Sequence, residues 1–189
     1  MDTISAAKQA FLQKYNFDYS KEIAISKAIN ASVQHNLLYS PSANASEKKD
    51  IRIYWGSCLE EVGDEFKKEV SVKTYEYIVE QLKKGMNKKF GTLFDNGSQY
   101  GSMFRISHSQ KSISVYVKHL WCMGAIVEPK ICPIDRIILN STNAKKMKDV
   151  SWGCVNSLDE HRRKFGYIVD ESAKNNLSVA VWELLKFTN

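Results

Sequence analysis

Apolar residues recur along this chain at steps of three and four, and that period points to packed α-helices. The cleanest run is Ile51, Tyr54, Trp55, Cys58, Leu59, Val62 and Phe66, which share one stripe because a helix brings side chains three and four apart onto the same face. Ser46 precedes this run as a candidate cap, after the polar stretch Ser40-Pro41-Ser42-Ala43-Asn44. Ile4, Ala7, Phe11, Leu12 and Tyr15 form an earlier stripe, and Asn16-Phe17-Asp18 separates it from Ile23, Ala28, Ile29, Val33 and Leu37. A fourth helix is expected from Val72 to Lys84, stopped by Gly85, and the turn-forming residues from Asp95 to Ser102 read as a long loop.

Ser107 and Gln110 have the spacing of a capping box, in which each side chain satisfies an amide left open at a helix start. A helix from His108 to Met123 follows, with Ile113, Val117, Leu120 and Trp121 inward and Gly124 as its stop. The alternation of Ile113, Val115 and Val117 also fits a strand, the weaker of the two readings. Ser157 and Glu160 repeat the capping-box spacing ahead of Leu158, Phe165, Ile168 and Val169, and a final helix carries Val179, Trp182 and Leu185. The expectation is an all-α fold, a single domain over residues 1–189 with six to seven helices.

The balance of residues narrows the function. With 43% hydrophobic and 25% charged residues and only three prolines, the chain has the makings of a packed core rather than a disordered tract. No long apolar run is present, so neither a membrane span nor a secretory signal is expected and the location is read as cytoplasmic. Cys58, Cys122, Cys132 and Cys154 show none of the close pairing of a zinc or iron–sulfur site, so they read as buried thiols, with no metal and no cofactor. A net charge of +6 favours a polyanionic partner, DNA first, with a protein partner as the alternative; the oligomeric state is open. Three basic clusters could face phosphates: Lys145, Lys146 and Lys148; Arg162, Arg163 and Lys164; and Lys83, Lys84, Lys88 and Lys89.

Two residues stand out as chemistry. Lys111 falls in the first turn after Ser107, where open amides and the helix dipole place positive potential beside its amine, a setting suited to nucleophilic attack on a sugar carbon or aldehyde. Asp135 emerges from Pro129-Lys130-Ile131-Cys132-Pro133-Ile134 among isoleucines, where a carboxylate is costly unless it is paired or used. The bland reading makes Asp135 the cap of a short helix or the partner of a nearby base, and Lys111 a solvated surface group.

Gln110-Lys111 at a helix start, the apolar helix through Val117-Lys118-His119-Leu120-Trp121, and Pro133-Ile134-Asp135 opening the next element resemble the helix-hairpin-helix DNA glycosylase superfamily. The similarity is greatest to its archaeal 8-oxoguanine glycosylase branch and covers residues 97–140. It implies an imine-forming lysine at Lys111 and an assisting aspartate at Asp135. His108 and Gln110 would then donate to the extruded base or a phosphate, Gln110 having a capping role as well, and Tyr100, Phe104, Trp55 and Trp121 would be candidates to stack on the base, although Trp55 and Trp121 sit on apolar stripes and read first as core. The chain departs from the superfamily in its hairpin. Phe104-Arg105-Ile106-Ser107-His108-Ser109 replaces Leu-Pro-Gly-x-Gly, and the nearest glycines, Gly97 and Gly101, come earlier; the four-cysteine cluster of one branch is absent as well. Two functions follow as expectations: a base-excision glycosylase, with or without abasic-site lyase activity, or a non-enzymatic helical module that binds nucleic acid or protein.

Overall fold

The computed structural model describes residues 2–34, 38–94 and 103–188. Among them there is no strand, and eight α-helices account for the architecture: α1 (Thr3–Tyr15), α2 (Lys21–Val33), α3 (Ala45–Glu65), α4 (Val72–Phe90), α5 (Ile106–Cys122), α6 (Arg136–Asn140), α7 (Leu158–Lys174) and α8 (Val179–Thr188). The eighth, beyond the six or seven expected, is the five-residue α6. Leu37 and residues 95–102, where a long loop is expected and which include Tyr100 and Gly101, lie outside the described residues.

The helix α5 organises the rest. Every one of its residues except Val115 is buried, although four are serines. Small side chains let neighbouring helices approach closely, and two of the serines satisfy themselves inside the helix: Ser112 donates to the His108 carbonyl at 2.9 Å and Ser114 donates to that of Gln110. Around it, α2, α3 and α4 enclose the largest apolar cluster, centred on Trp55, Leu59, Tyr75, Val79, Met86, Phe104, Ile113 and Val117. The Trp55 indole reaches Ser112 at 3.1 Å, so its one donor is not lost on burial. On the far side, Trp121 and Cys122 join α1 and α8 through Phe11, Leu12, Val181 and Leu184. A third cluster gathers Cys132, Ile134, Ile138, Leu139, Ile168 and Trp182 beneath α6 and α7.

Several local expectations are corrected. The helix α5 begins at Ile106 with Arg105 as its cap residue, not at Ser107. Its first amides are already taken. The Arg105 amide donates to His108 Nδ1 at 3.0 Å, the Ser107 amide donates to the Val155 carbonyl at 2.9 Å, and the Ser107 hydroxyl donates to Gly153 O at 2.7 Å. The segment that would be a phosphate-binding hairpin is therefore sewn into the protein by residues 153–155. Helix α3 is capped by Asn44, in a reciprocal box with Glu47, rather than by Ser46. Helix α4 runs through Gly85 to Phe90, because the completely buried Met86 lies just beyond the glycine and its packing outweighs a propensity cost of about 1 kcal/mol. The strand reading of residues 113–117 gives way to helix.

Other expectations hold. Ser157 and Glu160 form the box that opens α7. Gly124, at φ 76°, ends α5 in a Schellman turn, with Ala125 N donating to Leu120 O at 2.9 Å and Gly124 N to Trp121 O at 3.0 Å. Of the four cysteines expected to be buried, Cys122 and Cys132 are, whereas Cys58 and Cys154 are only half-buried and correct that expectation. Burial pushes the Cys122 thiol up to about 12.

Candidate active site

The two residues singled out in the sequence meet. Lys111 Nζ donates to Asp135 Oδ2 at 2.7 Å, and the two residues retain only 6% and 8% of their exposure. Lys111 is delivered by α5 and Asp135 by the start of α6, whose position is fixed by Gln110. That side chain holds the backbone of Ile134 from both sides, donating to its carbonyl at 3.1 Å and accepting from its amide at 3.4 Å. Asp135 also caps α6, its Oδ1 accepting from the Ile138 amide at 2.8 Å. The bland reading of Asp135 as cap and ion-pair partner is thus accurate as geometry, and it coexists with the sharper one.

Burial on its own would raise the Asp135 carboxyl. The Lys111 ammonium and the Ile138 amide outweigh it and hold the group below the usual aspartate range. Lys111 is the sixth residue of α5, counted from Ile106, and so lies beyond the first turn. The open-amide argument for its reactivity is therefore replaced by a simpler one: a buried amine with one carboxylate 2.7 Å away that can take its proton. The Trp152 ring, 5.6 Å from Nζ, covers another side of the ammonium.

Both side chains line one cleft of about 570 Å³, within the range of small-ligand sites. Its walls come from α1, α2, α5, α6 and α8, and include Phe11, Tyr15, Trp152 and Phe187. A second buried ion pair lies in the same cleft. Lys118, two turns beyond Lys111, contacts Glu183 at 2.8 Å, with its ammonium 4.1 Å from the Phe187 ring and 4.6 Å from Phe11. Burial raises the Glu183 carboxyl despite Lys118, so the two carboxyls of the cleft are pushed in opposite directions, which is a feature of sites that handle protons. His119 also lines the cleft; burial holds its imidazole down to about 4, neutral at physiological pH.

The remaining sequence candidates lie elsewhere. His108 and Gln110 are buried at the head of α5, engaged by backbone, and do not line the cleft. Trp55 and Phe104 pack against each other at 4.7 Å within the main core, and Trp121 belongs to the cluster of α1 and α8. Gly101 and Tyr100 fall outside the described residues. Lys145 and Lys146 are exposed, but Arg162 is held by Glu76 and Asp159, and Arg163 by Asp149. Lys164 is buried against the same Asp149. Of the third cluster, Lys83 donates to the Asn156 carbonyl at 3.0 Å and Lys84 pairs with Glu80.

Sequence reasoning missed Lys118, Glu183, Trp152 and Phe187. One signal was present: Lys118 interrupts the apolar stripe of Val117, Leu120 and Trp121, seven residues after Lys111 and therefore on nearly the same face. Among the described residues no group of three or more His, Cys, Asp or Glu side chains could hold a metal ion, and no helix is long and apolar enough to cross a membrane. Fold and site define an all-α protein with a buried lysine–aspartate pair at the wall of an aromatic cleft. Comparison with family models, curated proteins and solved structures finds no match to this chain.

Proposed function

We propose that this chain is a DNA base-excision glycosylase with abasic-site lyase activity, in which Lys111 is the nucleophile and Asp135 its proton acceptor and electrostatic partner. The observation that carries the reading is the Lys111–Asp135 pair at 2.7 Å in the wall of the aromatic cleft. A buried ion pair is weak evidence for stability, since well-packed apolar residues of similar volume often serve a fold as well or better. Its placement on a cleft rather than inside an apolar cluster is what argues for chemistry.

Asp135 takes a proton from the Lys111 ammonium, and the free amine attacks C1′ of the damaged nucleotide. The Nζ–C1′ bond forms as the C1′–N bond breaks, and the base leaves with the electron pair and picks up a proton. Opening of the sugar ring gives an imine between Lys111 and C1′. Loss of a C2′ proton then expels the 3′ phosphate, and water releases the lysine. The base would lie against Phe11, Tyr15 and Phe187, with Lys118 donating to its edge and Glu183 accepting from it.

The test is trapping with borohydride on an oligonucleotide carrying an abasic site. A covalent protein–DNA adduct is expected from the wild-type chain and none from Lys111→Ala or Lys111→Arg. An adduct that survives both substitutions removes Lys111 from the chemistry. The second reading, a helical binding module without catalysis, draws on the same geometry, because Asp135 already caps α6 and neutralises Lys111. It requires DNA affinity that falls steeply with salt, unchanged in Lys111→Ala and with no adduct.

A further inference from the structure

Helices α3 and α4 leave a groove of about 520 Å³ between them. Its lining runs from Tyr54 to Glu65 on α3 and from Thr74 to Gly85 on α4, at steps of three and four on each helix. That is three turns of each, a length of about 16 Å. A groove drawn out in this way matches a helix laid alongside better than a compact small molecule. Gly85 interrupts α4 here, and glycine weakens a helix interior. Neither backbone nor packing calls for it: a Cβ would find its nearest neighbour in Tyr54 Oη at 3.5 Å, an ordinary contact. The missing side chain leaves room at one end of the groove.

The floor is apolar, with Val62 and Leu82 buried and Ile78 half-buried, and Tyr77 stands over it 63% exposed. The charged residues that line the groove are both acids. Glu61 has no ion-pair partner among the described residues, and Glu65 meets only Lys68, at 3.5 Å with both side chains largely in water. On a chain of net charge +6 this groove is therefore acidic. Its Gly85 end already receives one cation, since Lys89 holds its ammonium 4.0 Å from the Tyr54 ring. The two carboxylates disfavour nucleic acid and an anionic membrane, and favour a cationic segment with an apolar face. We propose that the groove takes a basic amphipathic helix of a partner protein, its apolar face on Val62, Ile78 and Leu82 and its basic side chains toward Glu61 and Glu65. No lining residue is shared with the Lys111 cleft, so this binding is independent of the glycosylase reading.

The probe is a fluorescein-labelled amphipathic peptide of about 14 residues, with leucines along one face and arginines beside them, set against a second peptide in which glutamate replaces each arginine. Fluorescence anisotropy is read for wild type, Glu61→Lys, Gly85→Met and Glu60→Lys, the last a control outside the groove, with thermal unfolding to show that each is folded. The wild type is expected to bind the arginine peptide about tenfold more tightly than the glutamate peptide. Glu61→Lys, which sets a like charge in the groove, and Gly85→Met, which fills it, are each expected to weaken binding about tenfold, and Glu60→Lys to stay within about twofold. Two thiols locate the peptide: it is expected to slow maleimide labelling of Cys58, which lines the groove, about fivefold and to leave Cys154, the other half-buried cysteine, unchanged. Equal binding of the two peptides, equal effects of Glu61→Lys and Glu60→Lys, an unprotected Cys58, or no binding by the wild type overturns the proposal. So does self-association of the wild type that Gly85→Met abolishes, since the groove would then belong to a second copy of the chain. None of these outcomes bears on borohydride trapping by Lys111.

Discussion

Separating Lys111 from Asp135 has consequences for stability that can be worked out from the geometry. Lys111→Met leaves the Asp135 carboxylate in a site that retains 8% of its exposure, with the Ile138 amide as its remaining partner. Asp135→Asn leaves the ammonium instead, in a site at 6%, but keeps an oxygen to accept from that amide. Removing one member of a buried pair costs about 3–5 kcal/mol, most of it the burden of the charge left behind. For a chain of this length that is a fall in Tm of about 6–20 °C. Asp135→Ala loses the cap as well and is expected to cost about 1 kcal/mol more than Asp135→Asn. The double variant Lys111→Met/Asp135→Asn buries neither charge, so its loss is smaller than the sum of the single losses by about 2–3 kcal/mol. Urea unfolding of the four proteins measures this coupling. The double variant is also expected to be folded and unable to trap DNA, which separates the stability of the pair from its chemistry. Strictly additive losses would refute the reasoning, because two side chains that do not feel each other's charge cannot form the site described.

Two further outcomes follow from other parts of the fold. His119 is neutral when folded, with its pKa lowered by burial to about 4, whereas the unfolded chain binds a proton below the ordinary histidine value of 6.5; its contribution to stability is therefore complete above pH 6.5 and is lost as pH falls toward 4. Replacing it by leucine is expected to remove about 1–3 kcal/mol of acid destabilisation over that window, measured by urea unfolding at several pH values, while His161, lowered to about 4 in the same way, keeps its share. A Cβ at Gly63 would come within 3.0 Å of both Leu120 Cδ1 and Tyr116 Cε1, side chains fixed in the crowded flank of α5. Thermal unfolding of Gly63→Ala is expected to show a net loss of roughly 1–2 kcal/mol, strain outweighing the gain in helix propensity, and a stabilised variant would show that α3 and α5 can move apart.

What could be read from the sequence was what is local. The period of apolar residues identifies the helices, and the boxes and stops made by neighbouring residues, Ser157 with Glu160 and Gly124 after Met123, carry over intact. The start of α5 could not be read in this way. Arginine is a poor cap residue, and Arg105 serves because its guanidinium and the Ser107 hydroxyl both hold the Gly153 carbonyl, far along the chain. Gly85 misled for a related reason, since the packing of Met86 that carries α4 past it comes from other helices. At the site, Asp135 was legible as a carboxylate among isoleucines, whereas Lys111 was singled out for a first-turn position that the fold moves deeper into α5; their distance in sequence suits one helix and a return. Lys118 and Glu183 lie 65 residues apart, and only the docking of α8 against α5 joins them. The run Arg162, Arg163 and Lys164 shows the opposite case: in the sequence it reads as open to phosphates, whereas in the fold Glu76, Asp149 and Asp159 pair with its side chains.

The cleft contains two buried amines, and the most direct measurement asks whether either becomes bonded to DNA, and which. Borohydride-trapped wild-type complex, digested with nuclease and protease, can be mapped by mass spectrometry to the modified residue. A sugar remnant on Lys111 is the expected result, with Lys118 unmodified. A remnant on Lys118, on another lysine or on the amino terminus would contradict the assignment of Lys111 as the nucleophile.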